Sequence, residues 1–307
     1  MIYLFFHQSD LDGHCSGAIL RYYHENIFKL VKDKDFKIIP MDYNMSFDDN
    51  EIQDGDTVIM SDVTFQPYER LIKLNNRCNL FIYDHHKSVY PTLEENNVKG
   101  LYGRDDIAGC ELTYANFISA KKVPLWVRLL SDWDCWNNSD KEYWDKLVKT
   151  FQMGMRMYDT MPNTDKGMKF WNEWFETDKS IDFSSHPNTL HKIQGIIEQG
   201  NLIINYQNQM NEETMQRSFT INWEGLRWIV VNGGKGSPQF DSKWDETKYD
   251  AMMSFYYIGS KKCWGISLYT TKDIDLSVIA TKYGGGGHPK AAGIRVDNIN
   301  EILNGSK

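Results

Sequence analysis

The sequence predicts an α/β protein: an N-terminal, mostly parallel sheet flanked by helices, a long helical connector, and a smaller C-terminal α/β domain. Three observations lead there. Short apolar runs alternate with stretches of helical periodicity through the first third of the chain. This is the pattern of buried parallel strands joined by crossover helices. A helical pattern then runs from about 189 to 216, and strand-like runs follow it at closer spacing.

The first strand is expected at residues 2–6. The apolar start is too short for a secretory leader and lacks its basic flank, so it reads as a strand. Asp10-Leu11-Asp12-Gly13 follows, and Ala18, Ile19, Tyr22 and Tyr23 share one helix face. Further strands are expected at 36–39, at 57–60 ending on Ser61-Asp62, and at 80–83 ending on Asp84-His85-His86. A helix is expected from 108 to about 130, closing on Ser131-Asp132-Trp133-Asp134. Amphipathic helices should fill 140–180, with a turn at 161–164. Past the connector, strands are expected at 218–223, 226–231, 251–258 and 263–269, and a helix at 274–283. The run Tyr283-Gly284-Gly285-Gly286-Gly287-His288-Pro289 reads as a loop before a last strand at 294–296. The expected domains are 1–185, 186–216 as connector, and 217–307.

Bulk composition narrows the function. The chain has 307 residues, 41% of them hydrophobic, enough for a sizeable core. No window approaches the ~20 apolar residues of a membrane span, so no membrane partner is expected. The formal charge of −8 argues against tracking long duplex nucleic acid. It permits a small phosphate substrate if cations supply local positive charge. Cys15, Cys78, Cys110, Cys135 and Cys263 are odd in number and scattered, which points to reduced thiols and a cytoplasmic location.

Chemistry concentrates where predicted strands and helices end. His7, Asp10 and Asp12 follow the first strand, Asp62 the third, and Asp84, His85 and His86 the fourth; Asp132 and Asp134 close a helix. The carboxyl ends of parallel strands share one edge, so these groups can meet. Carboxylates brought together repel unless cations neutralise them. Mixed oxygen and imidazole donors suit Mn²⁺, with Mg²⁺, Fe²⁺, Co²⁺ and Zn²⁺ as alternatives. Two such ions can acidify a water and stabilise charge growing on a phosphoryl oxygen. The glycine run can approach a ligand closely and present N–H groups to an anion, with His288 beside it. Taken singly, Asp-Gly marks a turn, Asp62 could cap a helix, and a glycine run could be a flexible loop.

In order along the chain, Asp10-Leu11-Asp12-Gly13, Asp62, Asp84-His85-His86, Asp132 in Asp132-Trp133-Asp134, and Gly285-Gly286-Gly287-His288 resemble the motifs of the DHH phosphoesterase superfamily. The Asp-Leu-Asp-Gly and Asp-x-Asp-x-Trp forms resemble its nano-RNase B branch of short-oligoribonucleotide exonucleases, also described as cyclic-nucleotide phosphodiesterases. The resemblance spans nearly the whole chain. It implies a DHH domain followed by a DHHA1 domain and two divalent ions, Mn²⁺ foremost. One ion would be held by His7, Asp10 and Asp62, the other by Asp12, Asp62, His85 and Asp132. Asp84 would support His85, His86 would face the substrate phosphate, and Gly285, Gly286, Gly287 and His288 would grip the far end of the substrate. In the first motif Gln8 and Ser9 separate His7 from Asp10, a spacing that departs from the usual form of the family. A one-residue shift reverses a strand side chain unless a loop absorbs it, so Gln8 or water is the alternative at that position.

The implied activity is hydrolysis of short RNA to nucleoside monophosphates. The alternatives are a cyclic mono- or dinucleotide phosphodiesterase, a 3′-phosphoadenosine 5′-phosphate phosphatase, and an inactive nucleotide sensor. The expected partner is a short RNA or small nucleotide, with homodimer formation left open.

Overall fold

The computed structural model describes residues 1–43, 45–104, 106–119, 123–177 and 187–304. The chain divides into two compact units, Met1–Ile204 and Asn205–Lys307. The division falls inside the long helix Pro187–Met215. The edge expected at 185–186 lies outside the described residues.

The first unit is built on five parallel strands: β1 (Ile2–His7), β2 (Phe36–Met41), β3 (Thr57–Ser61), β4 (Asn79–Tyr83) and β5 (Lys99–Leu101), in the order β2-β1-β3-β4-β5. Alternation along β1 sorts its side chains onto two cores. Tyr3 and Phe5 join Val58, Met60, Leu80 and Ile82 on one face; Leu4 and Phe6 join Ile59 and Tyr83 on the other. A strand buried on both faces reads as a continuous apolar run, which makes β1, β3 and β4 legible in the sequence. Pro40, which cannot donate to a ladder, lies on the edge strand β2. β5 is an addition to the expected strands: its three residues are exposed and carry no alternation. Gly100 explains its place, since a Cβ there would lie 1.8 Å from the Ile82 carbonyl oxygen.

A helical layer completes this unit. The helices Leu11–Tyr22, Gly109–Phe117 and Leu125–Asp134 contribute Ile19, Tyr114, Trp126 and Leu130 to a third core. Trp144, Trp171 and Trp174 fill the same core together with Ile193, Ile196 and Ile197 of the long helix.

The second unit is a mixed six-stranded sheet: β6 (Phe219–Trp223), β7 (Leu226–Asn232), β8 (Ala251–Ile258), β9 (Cys263–Tyr269), β10 (Gly286–His288) and β11 (Ala291–Val296), in the order β10-β11-β9-β8-β7-β6. The helix Leu276–Lys282, capped by the Asp275 carboxylate on the Ser277 N–H, packs on one face with Phe255, Ile266 and Ile294. One expectation is corrected here. Residues 286–288 are not loop but a short strand at the sheet edge, antiparallel to β11. Glycine has low strand propensity, and pairing with β11 overrides it.

Candidate metal and active site

The carboxyl edge of the parallel sheet gathers the predicted groups. His7 is the last residue of β1. Asp10 caps the following helix, with Oδ1 accepting from the Gly13 N–H at 2.9 Å, while its Oδ2 lies 2.7 Å from His7 Nδ1. The bend at Gln8-Ser9 thus leaves His7 turned toward Asp10 and Asp62; His14 fixes that bend, its Nε2 lying 2.8 Å from the Gln8 carbonyl oxygen. Asp62 follows β3 with φ of +59°, a left-handed conformation uncommon outside glycine and concentrated at functional sites. Its Oδ2 lies 3.5 Å from His7 Nδ1, and its Oδ1 lies 3.4 Å from His85 Nε2 and 4.0 Å from His86 Nδ1.

Among the described residues, three overlapping groups could hold an ion: His7, Asp10 and Asp62; Asp62, His85 and His86; and Asp12, His85 and Asp134. Asp62 and His85 each belong to two. Asp12 is buried in the first turn of its helix and is held from behind by the Gly109 N–H at 2.9 Å and the Cys110 N–H at 2.7 Å. Those donors open the helix Gly109–Phe117, whose N-terminus favours the carboxylate.

Two placements differ from the sequence reading. Asp132 does not join the cluster: Tyr143 Oη donates to one of its oxygens at 2.8 Å and Asn137 Nδ2 to the other at 3.0 Å. Asp134, two residues on at the end of the same helix, lies 3.1 Å from His85 Nε2 instead. Asp84 is set against His86 rather than His85. The turn after β4 returns the His86 N–H to Asp84 Oδ1 at 2.9 Å and places His86 Nδ1 at 2.6 Å from the same oxygen. The second ring nitrogen of His85, Nδ1, instead lies 3.7 Å from the Cys135 sulfur.

Two contributors lie outside the motifs. Gly109 packs so closely that a Cβ would lie 2.6 Å from Asp62 Cβ and 3.2 Å from Asp12 Oδ2. Tyr43, on the loop after β2, places its ring 5.7 Å from that of His7 and 6.0 Å from that of His86. Burial, with the charges of Asp84 and Asp62, pushes its hydroxyl well above the ordinary phenol range, so it stays a donor. Backbone donors carry no residue signature, and a lone tyrosine in a loop carries no motif.

The donor set fits divalent metal. His7 Nδ1, Asp62 Oδ1 and His85 Nε2 are buried and make no hydrogen bond of good geometry despite their short separations. Buried polar atoms left this way are rare. Burial and the charges of Asp62 and Asp134 push the Asp12 carboxyl well above its usual range. Asp62 goes the other way: burial would raise it, but His7 and His85 hold it low. So dense a group of carboxylates needs cations, and without metal the histidines supply them. Burial would lower His7, yet Asp10 and Asp62 raise it to about 10. A histidine raised from its unfolded value of about 6.5 stabilises the fold fully below pH 6.5 and loses that contribution as pH rises toward 10. Metal-stripped protein should therefore lose melting temperature between pH 6.5 and 10, and Mn²⁺-loaded protein should not. A flat profile for the stripped protein would contradict this charge balance.

The two aspartates of the helix end make a second contrast. Asp134→Asn should weaken metal affinity by more than about 100-fold, and Asp132→Asn by no more than about 10–100-fold, as for an outer support. Calorimetric Mn²⁺ titration of both variants decides; an equal or reversed order would return the ligand role to Asp132.

The second unit carries the Gly285–His288 run at the sheet edge, with Gly286, Gly287 and His288 of β10 exposed. This unit holds a cleft of about 390 Å³ lined in part by Gly284, Gly285 and Gly286. Residues 239–305 match the DHHA1 domain. Over 98% of this chain and 95% of the other, the fold resembles that of a pGpG-specific phosphodiesterase from Vibrio cholerae, with a TM-score of 0.53 at 11% identity. A weaker likeness, TM-score 0.41 at 12% identity over 97% and 87% of the two chains, is to an exopolyphosphatase-related protein from Bacteroides fragilis. In sequence, an uncharacterized protein of Acanthamoeba polyphaga mimivirus is 24% identical over 314 residues, covering 95% of this chain; the chain spans 66% of that relative's length. Residues 239–305 thus carry a DHHA1 match, and the chain shares the fold of that phosphodiesterase.

Proposed function

We propose that the chain is a divalent-metal-dependent phosphodiesterase that hydrolyses short oligoribonucleotides to nucleoside monophosphates. The carrying observation is the set of three overlapping donor groups, joined through Asp62 and His85, with buried nitrogen and oxygen atoms unpartnered toward one another. His7, Asp10 and Asp62 would hold one ion; Asp12, Asp62, His85 and Asp134 would hold the other. Bound there, two divalent ions, Mn²⁺ by the mixture of carboxylate and imidazole, would supply an acidified water and stabilise the charge gained on the phosphoryl group.

The chain's own groups do the rest. The Gly109 and Cys110 N–H groups fix Asp12. Asp84 anchors His86 Nδ1 and raises the pKa of the ring, against the effect of burial. In its protonated form His86 has Nε2 free to donate to a non-bridging phosphoryl oxygen. Tyr43 walls the same space and adds its hydroxyl as a second donor. Gly285, Gly286, Gly287 and His288 bind the substrate away from the scissile bond. A dinucleotide such as pGpG, for which the Vibrio cholerae phosphodiesterase is specific, is the smallest member of this substrate class.

The test is a Mn²⁺ screen of purified protein on di- to pentaribonucleotides, pGpG, cyclic nucleotides and 3′-phosphoadenosine 5′-phosphate at matched concentration. Preferred turnover of the linear short RNAs supports the reading. Tight binding with no turnover of any of them would make the protein a sensor.

A further inference from the structure

We propose that Trp136, in the first unit, is a stacking platform for the nucleobase next to the scissile phosphate. It stands where the helix Leu125–Asp134 stops. There the Trp136 N–H reaches the Trp133 carbonyl oxygen at 3.3 Å, and the Asn137 N–H reaches that of Asp132 at 2.9 Å. This pair of bonds is a common way to close a helix, and it requires one residue in the left-handed region. That residue is Trp136, at φ of +56°. Glycine usually fills the position because it has no Cβ to clash. A bulky side chain there is a backbone outlier, and such outliers cluster at ligand sites.

The ring is unfavourably placed on a second count. Trp136 is 63% exposed, whereas the other tryptophans are buried or half-buried. Its ring centroid lies 4.9 Å from that of Trp144 and 6.1 Å from that of Trp133, both at 62°. Those two rings are stacked on each other, 6° apart, and Trp144 belongs to the helical core. Contact at that angle sets the tilt of the outer ring and still leaves much of it open to water. Asp132 braces the turn beneath: Asn137 Nδ2 and Tyr143 Oη donate to its two oxygens, and Asn137 Nδ2 also reaches the Asp106 carbonyl oxygen at 3.1 Å. Asp132, placed outside the ion cluster, thus holds the segment that presents the ring.

Position selects the ligand. Two residues of chain, at most about 7 Å, separate Trp136 from Asp134. The Asp134 carboxylate stands 3.1 Å from His85 Nε2, and the Cys135 sulfur between the two lies 3.7 Å from His85 Nδ1. A flat, exposed, pre-set ring at the rim of a phosphate-cleaving centre suits the face of a base, and stacking of this kind tolerates every base. A partner protein or a membrane would call for a contiguous apolar patch; here the chain continues as Asn137-Asn138-Ser139-Asp140, all polar. The inference deepens the proposed function, on which it rests for the choice of a nucleotide as ligand.

The test is calorimetric titration of the Mn²⁺-loaded full chain with 5′-GMP and with ribose 5-phosphate, which lacks the base. Trp136→Ala should weaken 5′-GMP binding about tenfold, and Trp136→Phe should weaken it less, because an aromatic face remains. Ribose 5-phosphate should bind Trp136→Ala and wild type alike, which general damage to the fold or to the ion site would not allow. Unchanged 5′-GMP affinity in Trp136→Ala, an equal loss for both ligands, or no 5′-GMP binding by the wild type would overturn the proposal. Turnover of pGpG is measured separately: base-dependent binding without turnover keeps the platform and removes the phosphodiesterase reading.

Discussion

Asp62→Asn should abolish phosphodiesterase turnover, by about 10²–10³-fold or more, a loss at least as large as that of one transition-state donor. Asp62 belongs to two of the three donor groups and stands within 4 Å of His7, His85 and His86. The amide keeps the shape of the side chain but removes its charge and one acceptor. Three histidines then face one another with less compensation, and a buried charge that loses its partner costs about 3–5 kcal/mol. Metal-stripped Asp62→Asn should therefore also melt earlier than stripped wild type. Turnover and melting measured on one preparation test both halves. Full activity in this variant would remove Asp62 from the mechanism.

Gly109→Ala should be nearly as damaging, though residue 109 touches no ion or substrate. The added methyl would lie 2.6 Å from Asp62 Cβ and 3.2 Å from Asp12 Oδ2. Both neighbours are buried, and Asp62 is already in a left-handed backbone conformation, so neither can yield freely. Overpacking of this kind costs about 1–3 kcal/mol. It also moves the two N–H donors that fix Asp12. Expected results are a lower melting temperature and metal affinity reduced at least as far as by loss of an outer support, about 10–100-fold. Gly195→Ala is the control: nothing lies within 4 Å of a Cβ at that position in the long helix, so it should stabilise by up to about 1 kcal/mol. Equal melting temperatures and metal affinities for Gly109→Ala and wild type would contradict the packing argument.

The parallel sheet and most of the site are legible in the sequence because burial and chemistry leave residue-level marks. β1, β3 and β4 are short apolar runs, and each ends in residues that are costly to bury without a partner. The choice between Asp132 and Asp134 is not legible. It depends on where the helix Leu125–Asp134 stops and on Tyr143 and Asn137, which take up the Asp132 oxygens from outside any motif. The pairing of Asp84 with His86 likewise depends on a turn that returns one N–H two residues back. β5 and β10 escape a sequence reading because glycine and exposed residues hide strand character that only pairing supplies. Tyr43 escapes it because its value lies in what surrounds it.

If Asp62 and His85 join two ion sites that together hydrolyse a short linear nucleotide, pGpG hydrolysis by metal-stripped protein should follow Mn²⁺ as it is titrated in. No turnover is expected without metal, and activity should rise as the second equivalent binds. Turnover unaffected by EDTA, or none at saturating Mn²⁺ across the short linear RNAs, would contradict it.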